Sequence, residues 1–373
     1  MTPTRASRSS LGIGAVTIGA FVAIEAMALA LVTVRGGNLG FDFAAYARAS
    51  QRILDGAPLY DLSVKVAGDF AAFFYPPPFA LAFLPFALLP HDVGLWQWTA
   101  LLIGAVGVGV AILPVKPRVR WIVLALCVID WPILYSILLS QVGTLLFLIF
   151  AIGWRWRDRP VVLGLAMAAG AMVKIQPVIL LGWAALTRRW RALATALVAL
   201  GAGALISTVL LGPSVWLDFI GLVGRVSGSV TTPKSMSLGA IAYQAGVAQG
   251  TAEIIQYASM VGVIAAVLVA ILKGSDEVGY LTTVVASQIV SPLVWDHYAV
   301  VLILPTAWLL ERGQWWAVAL MLATSVPVVA VLPVAVYPVV FGVGLVAPLV
   351  VEWMERRRVL GAAPRPLDAG GQA

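Results

Sequence analysis

Residues 11–34 read LGIGAVTIGAFVAIEAMALALVTV, a run in which Glu25 is the only charge. A helix needs about 20 predominantly apolar residues to span the hydrocarbon of a bilayer, so this run predicts a membrane-crossing helix. No small-residue cleavage site follows it before a soluble domain, and it reads as a retained first helix, not a removed signal peptide. Outward from it, comparable runs recur at 73–113, 121–138, 141–154, 160–173, 175–187, 192–211, 253–272, 278–291, 297–310, 315–332 and 334–351. The composition of the 373-residue chain agrees: 61% is hydrophobic and 11% charged, with mean hydropathy +0.97, where a soluble domain is about 25% charged. A soluble globular protein, a disordered chain and a collagen-like repeat are excluded, and Cys127, the single cysteine, cannot bridge within the chain.

The net charge of +7 resolves into clusters between the apolar runs. Arg5 and Arg8 precede the first run; Lys116, Arg118 and Arg120, then Arg155, Arg157 and Arg159, then Arg188, Arg189 and Arg191, then Arg356 to Arg358 follow later ones. This is the distribution that keeps cations in the cytosol. It carries no nucleic-acid motif, and no nucleic-acid partner is expected. Threading the clusters into the cytosol predicts an all-α polytopic transmembrane helical bundle of about 10–13 membrane segments in the plasma membrane, with both termini cytoplasmic. Residues 1–354 form one domain in this reading, with extracytoplasmic loops at 35–72 and 212–252, and 355–373 form a disordered tail. The 73–113 run makes one net crossing on this threading, although its length and Pro76-Pro77-Pro78 also suit two segments. Several runs are short enough to be tilted, broken or partly spanning, which is tolerated where protein or a water-filled cavity surrounds the backbone.

The polar residues near the outer face are few, so each invites a question. Asp42 opens a short amphipathic segment and stands four residues before Tyr46, so a carboxylate and a phenol share one helical face. Its competing role is that of a helix N-cap. Tyr75 precedes the proline run and is equally consistent with interfacial decoration. Lys174 is the lone ionisable group between Val161 and Leu186; burying an ammonium there is costly without an anionic partner, and snorkelling to the interface is the bland alternative. Gln141 is a weaker candidate of the same kind, since such glutamines commonly bond a neighbouring helix. Ser291-Pro292-Leu293-Val294-Trp295-Asp296-His297-Tyr298 is the second dense polar cluster, with a helix-boundary role as its alternative. Ser235-Met236-Ser237-Leu238-Gly239 says little alone, and Glu25 and Asp130 are read as facing the bundle interior. No Walker loop, GxGxxG, HExxH or zinc-type His/Cys set is present. What remains suits a sugar or a lipid phosphate.

Taken in order, these pieces resemble the integral-membrane glycosyltransferases of the GT-C class, and among them the polyprenol-phosphate-mannose-dependent branch, glycosyltransferase family 87. The resemblance is carried by Phe41-Asp42 with Tyr46, Asp55-Gly56 through Tyr60, Tyr75-Pro76-Pro77, Ser140-Gln141, Lys174 with Pro177, Met236-Ser237-Leu238, and Ser291-Pro292 with Trp295 and His297. It implies an inverting transfer of a sugar, mannose foremost, from a polyprenyl-phosphate donor to a glycolipid or cell-envelope glycan acceptor. Asp42 would be the general base, and Lys174 and His297 would bind the donor phosphate. Tyr46, Tyr75, Gln141 and Trp295 would be weaker substrate contacts. Neither a cofactor nor a metal is expected. One departure stands out: where the family often ends this motif in paired histidines, this chain has Trp295-Asp296-His297-Tyr298. Arabinofuranosyl transfer is the alternative within the class, and a transporter or lipid flippase the alternative outside it.

Overall fold

The computed structural model describes residues 39–63, 73–226, 230–331 and 336–362, with Gly19. Apart from Gly19, the first apolar run with Glu25 lies outside the described residues. Among the described residues all regular structure is helical, and a lone backbone bridge joins Asp130 to Ser325. In chain order the α-helices are α1 (Phe41–Leu54), α2 (Pro77–Ala87), α3 (His91–Ile112), α4 (Pro117–Ile129), α5 (Trp131–Leu139), α6 (Gly143–Arg155), α7 (Pro160–Val173) and α8 (Ile179–Leu186). They continue as α9 (Trp190–Leu211), α10 (Ser214–Val226), α11 (Leu238–Gln244), α12 (Gln249–Lys273), α13 (Asp276–Ile289), α14 (Ile303–Glu311), α15 (Val318–Leu322), α16 (Val326–Val329) and α17 (Val336–Ala362). Short 3-10 turns occupy Gln176–Val178, Asp296–Leu302 and Trp315–Ala317.

Proline sets many of the starts. Pro77, Pro117, Pro132 and Pro160 lie in the first turns of α2, α4, α5 and α7, where their missing N–H groups have no intrahelical partner to lose. Four helices are long and apolar enough to cross a bilayer: α3, α9, α12 and most of α17. The apolar runs from 121 to 187 fold into shorter pieces, of which α5 and α6 meet at 119° and together pass the same test. The 73–113 run divides into two helices, α2 and α3, as its proline content allowed.

α13 is buried along most of its length and packs against α12 and α17. α9 runs beside α7, and Gly164 permits this: a Cβ there would stand 2.5 Å from the Ala192 carbonyl oxygen. The outer surfaces of α9 and α12 are apolar instead of polar, exposing Val198, Val209, Ile254 and Leu272, as a lipid-facing surface requires. The expected tail needs correcting at its start, because α17 continues through Ala362. Its last turns are held by an Arg356–Glu352 pair at 2.7 Å, by Arg356 Nη1 donating to the Lys273 carbonyl at 3.0 Å, and by an Arg312–Glu355 pair at 3.6 Å. Residues 363–373 lie outside the described residues.

Segments from the two expected outer loops dock on one another. Tyr60 stacks on Phe219 of α10 at 5.9 Å, and Arg225 Nη1 donates to the Leu62 carbonyl at 2.8 Å. The Met236 N–H donates to the Val294 carbonyl at 2.7 Å, and Ser237 caps α11 by accepting from the Ala240 N–H. The Ser235–Leu238 motif is therefore spent on docking and capping.

Candidate active site

α1 starts where Gly40 takes the left-handed conformation, φ +82°, and donates its N–H to the Leu138 carbonyl at 2.9 Å. A Cβ at this position would stand 2.5 Å from Leu95 Cδ1, so conformation and space both call for glycine. Gly40 is the N-cap, and no side chain caps the helix; the capping role considered for Asp42 is not realised. Asp42 instead stands in the first turn, where the helix dipole favours a carboxylate. Its surface is partly accessible, yet protein surrounds the carboxyl closely enough that burial pushes it up to about 7, against the opposing pull of the Lys174 ammonium.

One turn along, Tyr46 is fully buried among the rings of Phe73, Tyr75, Phe79, Phe83 and Trp98. Its hydroxyl donates to the Tyr75 hydroxyl at 2.8 Å. Gln141 Nε2 donates to the same Tyr75 oxygen at 3.3 Å. The Tyr75 hydroxyl thus accepts twice, and its own proton has no acceptor among the described residues. Both tyrosines are within electrostatic reach of Asp42.

Gln141 is presented by the break between α5 and α6. Ser140 ends α5 in the left-handed region, φ 56°; its carbonyl accepts from Trp98 Nε1 at 2.8 Å, and its hydroxyl lies 3.0 Å from that of Thr99. Gln141 Oε1 then accepts from the Gly143 N–H at 2.6 Å, which orients the amide toward Tyr75.

Lys174 ends α7 in extended backbone, just before the Gln176-Pro177 turn, and is 8% exposed. Snorkelling to bulk water does not describe it. Its ammonium sits 3.7 Å above the Tyr298 ring centroid, a cation–π contact. Among the described residues, no hydrogen bond or ion pair within 4.0 Å joins the Asp42 carboxyl and the Lys174 ammonium to each other or to any other group. The carboxyl and the ammonium act on one another electrostatically without direct contact.

His297 belongs to the Asp296–Leu302 turn and is buried within electrostatic reach of Lys174. Asp296 is the device that aims it: Oδ2 accepts from Trp131 Nε1 at 2.8 Å and Oδ1 from the His297 N–H at 2.8 Å, with His297 Nδ1 3.6 Å from the same oxygen. Tyr135 flanks the imidazole at 6.2 Å between ring centroids and stacks on Trp131 at 4.9 Å. Trp295 heads the turn and packs against the core. Gln176 Nε2 donates to Ser291 Oγ at 3.2 Å, tying the lysine segment to the histidine segment.

Asp42, Tyr46, Tyr75, Gln141, Lys174 and His297 therefore occupy one region, assembled from α1, the segment before α2, the α5–α6 break, the end of α7 and the turn before α14. Sequence reasoning passed over Tyr298 and Tyr135. Tyr298 adjoins His297 in the polar cluster, where an aromatic has an ordinary interfacial reading. Tyr135 lies in an apolar run with no signal of its own. Asp130 has a structural role, its Oδ1 accepting from Thr324 Oγ1 at 2.8 Å.

The fold is a helical membrane bundle that brings an acid, a cation and an imidazole into one region. The family model described as Glycosyltransferase family 87 matches residues 73–295, more than half of the chain, and the protein belongs to that family. It is a glycosyltransferase, acting within a bilayer on a sugar donor and an acceptor. The matched stretch contains Tyr75, Gln141, Lys174 and Trp295, while Asp42 and His297 flank it on either side. No curated protein and no solved structure matches the chain.

Proposed function

We propose that the protein transfers a sugar, mannose foremost, with inversion from a polyprenyl-phosphate donor to a lipid-linked or cell-envelope glycan acceptor at the extracytoplasmic face of the cell membrane. The observation that carries this reading is the electrostatic coupling of Asp42 and Lys174 without direct contact between them. Asp42 takes the proton of an acceptor hydroxyl as that oxygen attacks the anomeric carbon. The bond from that carbon to the phosphate oxygen breaks on the opposite side, and the polyprenyl phosphate departs with the bonding electrons. Lys174 and His297 stabilise the negative charge growing on it, donors fixed in place before the reaction. Tyr75 and Trp295 contact the sugar, the free proton of Tyr75 suiting a sugar oxygen, while Tyr46 and Gln141, buried and bonded to Tyr75, position its hydroxyl. The arginine clusters lie at the other end of α7, which supports an outward-facing site on the rule that cations stay in the cytosol.

Purified protein supplied with radiolabelled polyprenyl-phosphate mannose, and in parallel with the arabinofuranosyl donor, tests the reading. Label should move to acceptor in one case and fail to move with Asp42→Asn at unchanged expression. Wild-type turnover in that variant would remove the proposed base, and donor crossing the bilayer with its sugar intact would point to a flippase.

A further inference from the structure

The end of the bundle away from Asp42 holds a second concavity that sugar transfer leaves unused. A cavity of about 430 Å³ is lined by Arg157, Asp158, Arg188, Arg189, Trp190 and Arg191, among others, a volume in the range of small-ligand sites. Four guanidinium groups face it against one carboxylate. Two of them are engaged: Arg157 with Glu277 at 3.4 Å, and Arg189 with Asp276 at 2.7 Å and Asp158 at 3.8 Å. The guanidinium groups of Arg188 and Arg191 have no hydrogen-bond or ion-pair partner among the described residues. Arg189 Nε is buried without an acceptor.

The backbone adds to this positive field. α7 starts at Pro160 and α9 at Trp190, both at the cavity wall, and the close approach at Gly164 sets the two starts side by side. Neither N-cap, Arg159 nor Arg189, makes a side-chain capping bond, so first-turn N–H groups of both helices are left unsatisfied. Arg188 is held at φ 59°, a conformation uncommon outside glycine, in the turn joining α8 to α9.

We propose that this cavity binds a phosphate-bearing anion, namely the headgroup of an acidic phospholipid in the adjacent leaflet. Guanidinium forks match phosphate oxygens in pairs, and basic pockets between membrane helices suit such headgroups. Trp190, exposed at the rim, is an aromatic of the kind that sits at headgroup level. The fourteen residues of α7 hold the cavity ~20 Å from Lys174, so the two sites are separate.

The test uses full-length protein in neutral detergent, incubated with phosphatidylglycerol or phosphatidylcholine and read by native mass spectrometry. Arg188→Gln with Arg191→Gln is compared with Arg357→Gln with Arg358→Gln, a control of equal charge loss at another basic cluster. Wild type and control should retain phosphatidylglycerol over phosphatidylcholine, and the Arg188/Arg191 variant should retain it roughly tenfold less at an unchanged unfolding temperature. Equal retention by all three proteins, or equal loss in both variants, overturns the site. A thermal shift with inorganic phosphate in wild type alone, without selective lipid retention, keeps the anion site but overturns the headgroup.

Discussion

Asp42 is the residue on which pH acts most directly. Its raised pKa means that at neutral pH the carboxyl is shared between protonated and ionised forms. A general base works only when ionised, so kcat/KM should rise with pH on the acid side of about 7. Lys174→Gln removes the pull that lowers this value; the rising limb should move to higher pH as donor use weakens. An unmoved limb in the variant's pH profile would show that the two groups do not act on one another. Asp42→Asn should cost roughly 10²–10⁴-fold in turnover. Tyr298→Phe keeps a ring beneath the ammonium and should preserve donor affinity, whereas Tyr298→Leu should lose roughly 5- to 30-fold, in line with a cation–π contact of about 1–2 kcal/mol; donor KM against kcat separates these outcomes. Asp42 and Lys174 were legible in sequence because each is an ionisable group that apolar surroundings do not explain. Tyr298 was not, since an aromatic next to an interfacial tryptophan has an ordinary reading.

At the scale of elements, short amphipathic α1 was legible from its periodicity, but its cap was not. Asp is a preferred capping residue, and only the Gly40 contact with Leu138 shows why the start falls one residue before the helix. Gly40→Ala must adopt a left-handed backbone and displace Leu95; a loss of about 1 kcal/mol or more is expected, together with reduced transfer because Asp42 shifts with the helix start. Thermal unfolding and turnover on the same preparation measure both. The α5–α6 break was foreseen only as a shortened apolar run. Its angle depends on Trp98 and Thr99, more than forty residues away in the chain, and no local pattern encodes that contact.

Across the whole molecule, the positive clusters and the polar site separate to opposite ends, which the spacing of arginines between apolar runs had already implied. The fastening of the cationic end was hidden. Glu277 accepts from Trp154 Nε1 at 2.8 Å and Trp308 Nε1 at 3.1 Å and faces Arg157 and Arg312, each at 3.4 Å, so one carboxylate joins α6, α13 and α14. Glu277→Ala leaves two indoles and two guanidinium groups without it and should destabilise the protein by about 3 kcal/mol or more, read as a lower unfolding temperature, while a rescue by Glu277→Gln should be partial. The bent pair α5–α6 has a consequence for biogenesis. Pieces of nine and thirteen residues are each too short to partition into lipid unaided, so while the nascent chain is being threaded they must wait for α3 to be seated before the bend can close around Ser140. A chain stalled before Lys174 and His297 emerge would already hold α3 as a membrane anchor while still lacking half of its site.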